Sequence, residues 1–384
     1  MESSAALQLP PVSPAFAPAI PGTGHAETAR AVALAERLND AHRYTDATAA
    51  LADVNIPTAS APDLGRRVLL AEGWARMHCG ELELADALIE RARGLSEARG
   101  FTDVDRADAM FRLGACRLMR GKVSNAISLL GAAIALAGSG VEGDKVCANA
   151  LEWRARCYVR QRDWEAAQAD AEHALELGES VGDPRLIAAA TAQCSVIAER
   201  RGDPRVALFY AERANDIAEA MGDQRSEARL LNNIGGLKFL LGEPEVAVGH
   251  LTRSFGLFLD LGNDTDAAQV VSSLAQVHLR CGAPLLAEEQ ARHALSILDN
   301  RGDYVEERGN AHLVLGRALI EQSRFDEGMK EFAAAEWLYE SFGSVSHVAA
   351  AWMAQGDLYG RQGDLEASLA LYRRAADALQ DFNF

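Results

Sequence analysis

The sequence is short of lysine, of aromatics and of long apolar runs, and each shortage removes a class of function. Only four of the 38 basic residues are lysine (Lys122, Lys145, Lys238 and Lys330), and 55 acidic residues leave a net charge of −17. That balance argues against non-specific binding to nucleic acid or to anionic membranes. No run of eighteen apolar residues occurs, so no segment reads as a bilayer-spanning helix. No basic stretch followed by an apolar core opens the chain, so no secretory signal is read. The six cysteines (Cys79, Cys116, Cys147, Cys157, Cys194 and Cys281) are scattered without C-x-x-C spacing and read as reduced, small core residues. A cytoplasmic location is the expectation. Aromatics are 6% against 49% apolar residues overall, with alanine abundant, which suits closely packed helices better than a β-sandwich.

Catalytic motifs are missing as well. No phosphate-binding G-x-x-x-x-G-K-[ST] occurs, and GGLK at 235–238 lacks both that spacing and a preceding strand. H-E-x-x-H, G-x-S-x-G and calcium-loop patterns are absent too. The nine histidines are dispersed, and the one adjacent His/Cys pair, His78 and Cys79, would project about 100° apart on a helix. No enzymatic activity, cofactor or metal is expected.

Proline is confined too. Five of the eleven prolines fall in residues 1–25, within LPPVSPAFAPAIPGTG, which reads as a disordered or extended leader. It is short and not basic, so an N-terminal helix-turn-helix is not expected there. Beyond it the chain becomes long helical stretches broken by G-D, G-E and G-N turns. Gly80, Gly121, Arg162, Gly202, Gly242, Gly282, Ser323 and Gly363 occupy one phase of a repeat of 40 or 41 residues. A second glycine turn follows about half a period later, at Gly100, Gly182, Gly222, Gly262, Gly302 and Gly343. Half a period is one helix and one turn, so the unit is a helical hairpin.

Side-chain size obeys the same register. Seven residues before the marker stand Gly73, Gly114, Ala155, Ser195, Gly235, Ala275, Gly316 and Gly356. Five after it stand Ala85, Ala126, Ala167, Ala207, Ala247, Ala287, Gly328 and Ser368, and the residues twelve after it are also all Ala or Ser. Glycine within a helix costs about 1 kcal/mol relative to alanine. Its recurrence at one phase calls for two helices approaching closely there. Pro204, Pro244 and Pro284 sit two residues after the marker, in a first helical turn where no donor is lost.

Small residues at three fixed positions around the turn of a helical pair, clearest in ARLLNNIGGLKFLLGEPEVAVGHL, resemble the tetratricopeptide repeat (TPR) family. The repeat length is 40 rather than 34, as in kinesin light chains, LGN-type scaffolds and bacterial peptide-sensing regulators. The resemblance implies an all-α fold, a right-handed TPR superhelix or α-solenoid. It would hold eight hairpins, at about 62–101, 102–142, 143–182, 183–222, 223–262, 263–302, 303–343 and 344–384, after a degenerate hairpin at 26–61. It also implies a concave groove lined by the first helix of each hairpin, which binds a peptide or protein segment and performs no catalysis.

By that resemblance the groove positions lie thirteen, ten, six, three and two residues before the marker. They yield the candidate ligand-binding residues Arg67, Trp74, Phe111, Asn149, Arg156, Arg160, Arg200, Arg229, Asn232, Gly236, Phe239, Gln276, Arg280, Asn310 and Arg317. Eight arginines fall among these forty positions, where composition would place about 3.5. Either they meet carboxylates and carbonyls of an acidic or extended partner, or they pair with neighbouring Glu and Asp. Leu70, Trp74, Met77, Phe111, Leu118 and Met119 are expected to form an apolar patch at the N-terminal end of the groove. That patch either anchors a partner or is covered by the leader. Leu365, Leu369, Tyr372 and Leu379, with Phe382 and Phe384, are expected to leave the last helix open for homodimerisation. The function expected is a scaffold for a protein or peptide, or a regulatory sensor whose superhelix changes shape on binding a small peptide or metabolite. Neither nucleic acid nor membrane is an expected partner.

Overall fold

In the computed structural model, which describes residues 23–54, 56–57, 59–298 and 304–380, every regular element is an α-helix. The described residues divide into two compact units, one ending at Arg160 and one starting at Gln161. The first unit holds α1 (Thr23–Asp40), α2 (Tyr44–Leu51), α3 (Pro62–His78), α4 (Leu82–Ser96), α5 (Asp103–Met119), α6 (Val123–Ala137) and nearly all of α7 (Val141–Gln161). The second holds α8 (Trp164–Val181), α9 (Pro184–Arg200), α10 (Pro204–Met221), α11 (Gln224–Leu240), α12 (Pro244–Asp260) and α13 (Asp264–Arg280). It continues with α14 (Pro284–Leu298), α15 (Val305–Glu321), α16 (Phe325–Phe342), α17 (Val345–Gln362) and α18 (Leu365–Gln380). Helix α1 begins at Thr23, so the last positions of the expected leader are helical. The rest of the leader, Gly302, Phe382 and Phe384 lie outside the described residues.

The turns explain the marker. All eight marker residues have positive φ, including the two that are not glycine, Arg162 at 60° and Ser323 at 62°. An L side chain resists this left-handed region, and glycine does not. The turn satisfies the ends of the preceding helix: Asp203 N donates to Ala198 O at 2.9 Å and Glu243 N to Lys238 O at 2.9 Å. These six-to-one bonds are Schellman closures. His42, also at positive φ, with Arg43 N on Leu38 O at 2.8 Å, carries the same closure into the α1–α2 turn.

The aspartate of a G-D turn then starts the next helix, as at three described turns. Asp183, Asp203 and Asp223 accept from the backbone N–H of Arg185, Val206 and Ser226. One dipeptide therefore ends one helix and caps the next.

The small residues bring the two helices of a hairpin together. A Cβ on Gly73 would lie 2.6 Å from Ile89 Cγ1, and one on Gly114 or Gly235 would lie 2.7 Å from Leu130 or Leu251 Cγ. On Gly316 it would lie 2.5 Å from Phe332 Cε1. The partner in each case stands nine residues after the marker. Where serine replaces glycine, Ser195 Oγ donates to Ala207 O at 2.8 Å, the carbonyl five residues after the marker, and remains satisfied while buried.

The cores are assembled hairpin by hairpin. In the first unit one cluster runs from Leu69 to Cys157 and a second joins α1, α2 and α3. In the second unit Phe258, Phe332 and Tyr339 are the largest fully buried side chains. The cysteines are free, and Cys116, Cys157 and Cys194 are core residues as expected, but Cys79 and Cys281 are exposed. Both sit immediately before the marker, at the C-cap where the chain turns outward.

Two variants test the turn and the contact. Ser323→Gly should stabilise the fold by about 1 kcal/mol by relieving left-handed strain. Gly235→Ala should destabilise it by about 1–3 kcal/mol, since Leu251 must move. Urea midpoints read both; a Gly235→Ala chain as stable as the parent would refute the close-approach account.

Candidate functional site

The contact residue sets the geometry of the exposed face. At about 100° per residue, the positions three and ten before the marker lie only about 40° and 60° around the helix from the position seven before it. The positions six, thirteen and two before it lie about 100°, 120° and 140° away. Burial follows that order at many positions, although Glu199 and Met353 on the near flank are exposed and Ala115 on the far face is buried. Leu70, Met77, Phe111, Leu118 and Ile320, all on the near flank, are buried, whereas Arg160, Arg200, Arg229, Gly236, Gln276, Arg280 and Arg317, all on the far face, are exposed. The face accessible along the first helices is therefore narrower than the five positions expected.

This corrects the N-terminal apolar patch. Leu70, Met77, Phe111 and Leu118 are core, Trp74 is half-buried against the same cluster, and Met119 alone among the six is exposed.

Four of the candidate residues meet at one cavity in the first unit. Arg67, Trp74, Phe111 and Asn149, from α3, α5 and α7, line a space of about 320 Å³ together with Glu36, Asn39 and Asp40 of α1. Arg66, Leu70, Ala71, Asp108 and Arg112 complete the wall. Its charges are paired internally. Arg67 grips Glu36 with Nε at 2.9 Å and Nη2 at 2.5 Å, and Arg66 Nη2 lies 2.7 Å from Asp105 Oδ1. Arg112 Nε donates to Asp108 Oδ1 at 2.9 Å, and its guanidinium carbon stands 5.1 Å from the Trp74 ring centroid, a cation–π position. Trp74 in turn packs on Phe111 and Trp153, with centroids 5.5 and 5.8 Å away.

Two polar side chains of the cavity wall keep capacity to spare. Asn39, 7% exposed, donates Nδ2 to Ala71 O at 2.9 Å, but its Oδ1 has no hydrogen-bond partner among the described residues. Arg66, also 7% exposed, leaves Nε and Nη1 outside hydrogen-bond geometry, although Nη1 lies 3.5 Å from Asp108 Oδ2.

The remaining candidates do not join this cavity. Arg156 pairs with Glu152 at 2.6 Å and stands over Trp153, and Arg160 donates to Leu118 O at 3.1 Å. In the second unit α11 and α13 present Arg229, Gly236, Gln276 and Arg280, with Phe239 half-buried under Arg280 at 5.4 Å. A Cβ added to Gly236 would meet nothing within 4 Å. Beside it Asn232 Oδ1 is buried without a hydrogen-bond partner. Asn310 turns away from the face: its Oδ1 accepts from the Tyr339 hydroxyl at 2.7 Å, which ties α15 to α16.

Sequence reasoning missed Glu36, Asn39, Arg66 and Arg112. Extending the register one period back to His42 would have placed Glu36 six before it and Asn39 three before it. Arg66 and Arg112 occupy no expected groove position. Among the described residues no three His, Cys, Asp or Glu side chains are grouped to hold a metal, and no helix is long and apolar enough to cross a membrane.

Residues 146–220 match the family model of the tetratricopeptide repeat. No curated protein matches the chain by sequence. Among solved structures, the chain is similar to a Rap protein complexed with Competence and Sporulation Factor, at TM-score 0.65 and 16% identity over 93% of this chain and 98% of that one. It is similar to the apo quorum sensor NprR from B. thuringiensis at TM-score 0.64 and 13% identity, over 93% and 97% of the two chains. Aspartyl phosphate phosphatase F from Bacillus subtilis aligns at TM-score 0.60 and 14% identity, over 95% and 96%. At these identities the likeness is one of fold.

The acid limb of stability tests the ion pairing beside the cavity. Burial would lift the Asp105 carboxyl, but the Thr102 N–H and hydroxyl, with the charges of Arg66 and Arg106, outweigh it and hold the group below its ordinary value. A carboxyl depressed in the folded chain stabilises it above the unfolded value, and that stabilisation is lost as pH falls through the folded one. Thermal unfolding should therefore show the parent losing more stability below about pH 4 than Asp105→Asn does. Parallel acid limbs for the two proteins would contradict this.

Proposed function

With tetratricopeptide repeats over residues 146–220 and one turn-and-contact register in the hairpins around them, we propose that the chain is a non-catalytic scaffold. It binds an extended peptide or protein segment on the exposed face of its first helices, in the cytoplasm. The observation that carries this reading is Gly236. A helical glycine costs about 1 kcal/mol. Gly73, Gly114, Gly235 and Gly316, one position earlier in the register, are small because a neighbour presses on them. Gly236 has no such neighbour: the space above it is open, between Asn232 with its unpartnered Oδ1 and Phe239 under Arg280. Gly94, Gly249 and Gly256 are as open, but Gly236 alone of the four lies on a first helix beside an unpartnered amide and an aromatic ring, which a segment entering the notch would use.

Charge enters the reading unevenly. Arg67 and Arg156 already hold Glu36 and Glu152, so they offer an acidic partner little. Exposed Arg200, Arg280 and Arg317 in the second unit are the positions where carboxylates of a partner would engage. No catalytic step is included, and the cavity wall contains no serine, cysteine, histidine or lysine.

A second reading, the regulatory sensor, draws on the Rap protein complexed with Competence and Sporulation Factor and on the quorum sensor NprR, each similar over more than nine-tenths of its length. In that reading the bound segment is a short signalling peptide and the array changes shape around it. Homodimerisation through α18 is a further part of the proposal, supported by Leu365, Leu369 and Tyr372 at 72%, 49% and 38% exposure.

A peptide selected against the chain from a display library tests the reading. Gly236→Phe should leave the fold as stable as the parent and weaken that peptide at least tenfold, about 1.4 kcal/mol. Gly249→Phe, on α12 with equally open space, should leave affinity unchanged. Equal affinity for all three proteins would sink the placement. Small-angle scattering on the same samples separates the two readings: a sensor contracts on adding peptide and a scaffold does not, while forward intensity reports the dimer.

A further inference from the structure

The cavity in the first unit has a ligand chemistry of its own, distinct from the open arginines of the second. We propose that it is a subsite for one uncharged, large apolar residue of a bound segment together with an adjoining peptide unit, and that it discriminates against charged residues. This rests on the peptide-binding reading and names what one part of that face selects.

Three observations carry the inference. Volume is the first: about 320 Å³ is at the lower end of ligand cavities, enough for one large side chain and its flanking amide, not for a long segment. Charge is the second. The three guanidinium groups at the wall each have a carboxylate already in place, Arg66 on Asp105, Arg67 on Glu36 and Arg112 on Asp108. A carboxylate entering the cavity would displace one of these partners and strand it, and an ammonium would have to draw Glu36 or Asp108 away from its arginine. Leaving a charge unpaired in a covered site is costly, so the paired wall favours a neutral guest.

The third observation is the unmet hydrogen bonding. Asn39 Oδ1 is an acceptor without a donor, and Arg66 Nε is a donor without an acceptor, on side chains that are each 7% exposed. A peptide unit supplies both complements: its N–H donates to Asn39 and its carbonyl accepts from Arg66. The apolar part of the wall, Leu70 with Trp74 and Phe111, then receives the side chain, and Arg112 over Trp74 fixes the ring that the guest touches. Leaving a buried polar group unpaired is costly, so a guest that completes both bonds is favoured over one that completes neither.

The test uses blocked single residues on the full chain. N-acetylphenylalaninamide carries the apolar side chain and two amides without charge. N-acetylaspartate amide and free phenylalanine carry the charges that the wall should reject. Binding is read from the indole N–H resonance of Trp74 in an amide correlation spectrum, assigned by its loss in Trp74→Phe. The neutral probe should shift that resonance saturably with a Kd of about 1–10 mM, and the two charged probes should bind at least fivefold more weakly. Asn149→Glu, which adds a charge at the cavity wall, should weaken the neutral probe by a similar factor. Thermal melts of that variant verify folding, and Asn149→Gln, which adds no charge, should bind as the parent does. A silent Trp74 resonance at saturating neutral probe, or equal binding of the aspartate probe, overturns the inference. If Gly236→Phe still impairs the selected peptide in that case, the wider reading stands and only this subsite fails; if neither responds, both fail.

Discussion

The arrangement depends on one contact, the approach of the two helices of each hairpin at the residue seven before the turn. Gly73, Gly114, Gly235 and Gly316 have no room for a Cβ against Ile89, Leu130, Leu251 and Phe332. Ser195 keeps the same closeness by donating to the Ala207 carbonyl that faces it. Fixing that residue against the second helix fixes the rotation of the first. Every other position on the helix then has a calculable angle from the contact. Much of the near flank becomes core and much of the face about 100–140° away is left to solvent. The exposed face is thus a consequence of the packing rather than a separate device.

Charge acts within that frame. The chain carries −17 overall, yet its arginines are concentrated on the first helices. In the first unit they are spent on Glu36, Asp105, Asp108 and Glu152, which leaves a cavity that is polar but internally neutral. In the second unit Arg280 is exposed and stands over Phe239, and Arg200 and Arg317 are exposed on α9 and α15. The same residue type therefore has two roles, set by whether a carboxylate lies within reach on its own or a neighbouring helix. An excess of arginine in a sequence register does not tell the two apart.

That contrast marks what could be read in advance. The period, the turn and the small positions were legible because steric exclusion allows few residue types at positive φ or under a packed leucine; Arg162 and Ser323 kept the phase without being glycine. The expected groove face was legible only in part, since several positions three and ten before the marker, such as Leu70, Met77, Phe111 and Leu118, are covered by neighbouring elements, which no single repeat reveals. Asn39 and Glu36 were hidden because the degenerate first hairpin lacks the glycine marker, although His42 holds its place with a positive φ. Asn310 satisfies the groove register yet is committed to Tyr339, a tie that depends on one tyrosine in the paired helix. Pairing between side chains some forty residues apart is the part a repeat pattern leaves open.

The central claim is that a partner lies along the exposed face of the first helices. Hydrogen–deuterium exchange of the full chain, with and without a peptide selected against it, tests this most directly. The account predicts slowed exchange in segments of α3, α5, α11 and α13 that carry Trp74, Phe111, Gly236 and Gln276, with α10 and α12 unchanged. Protection concentrated on α10 and α12, the second helices of their hairpins, would contradict it.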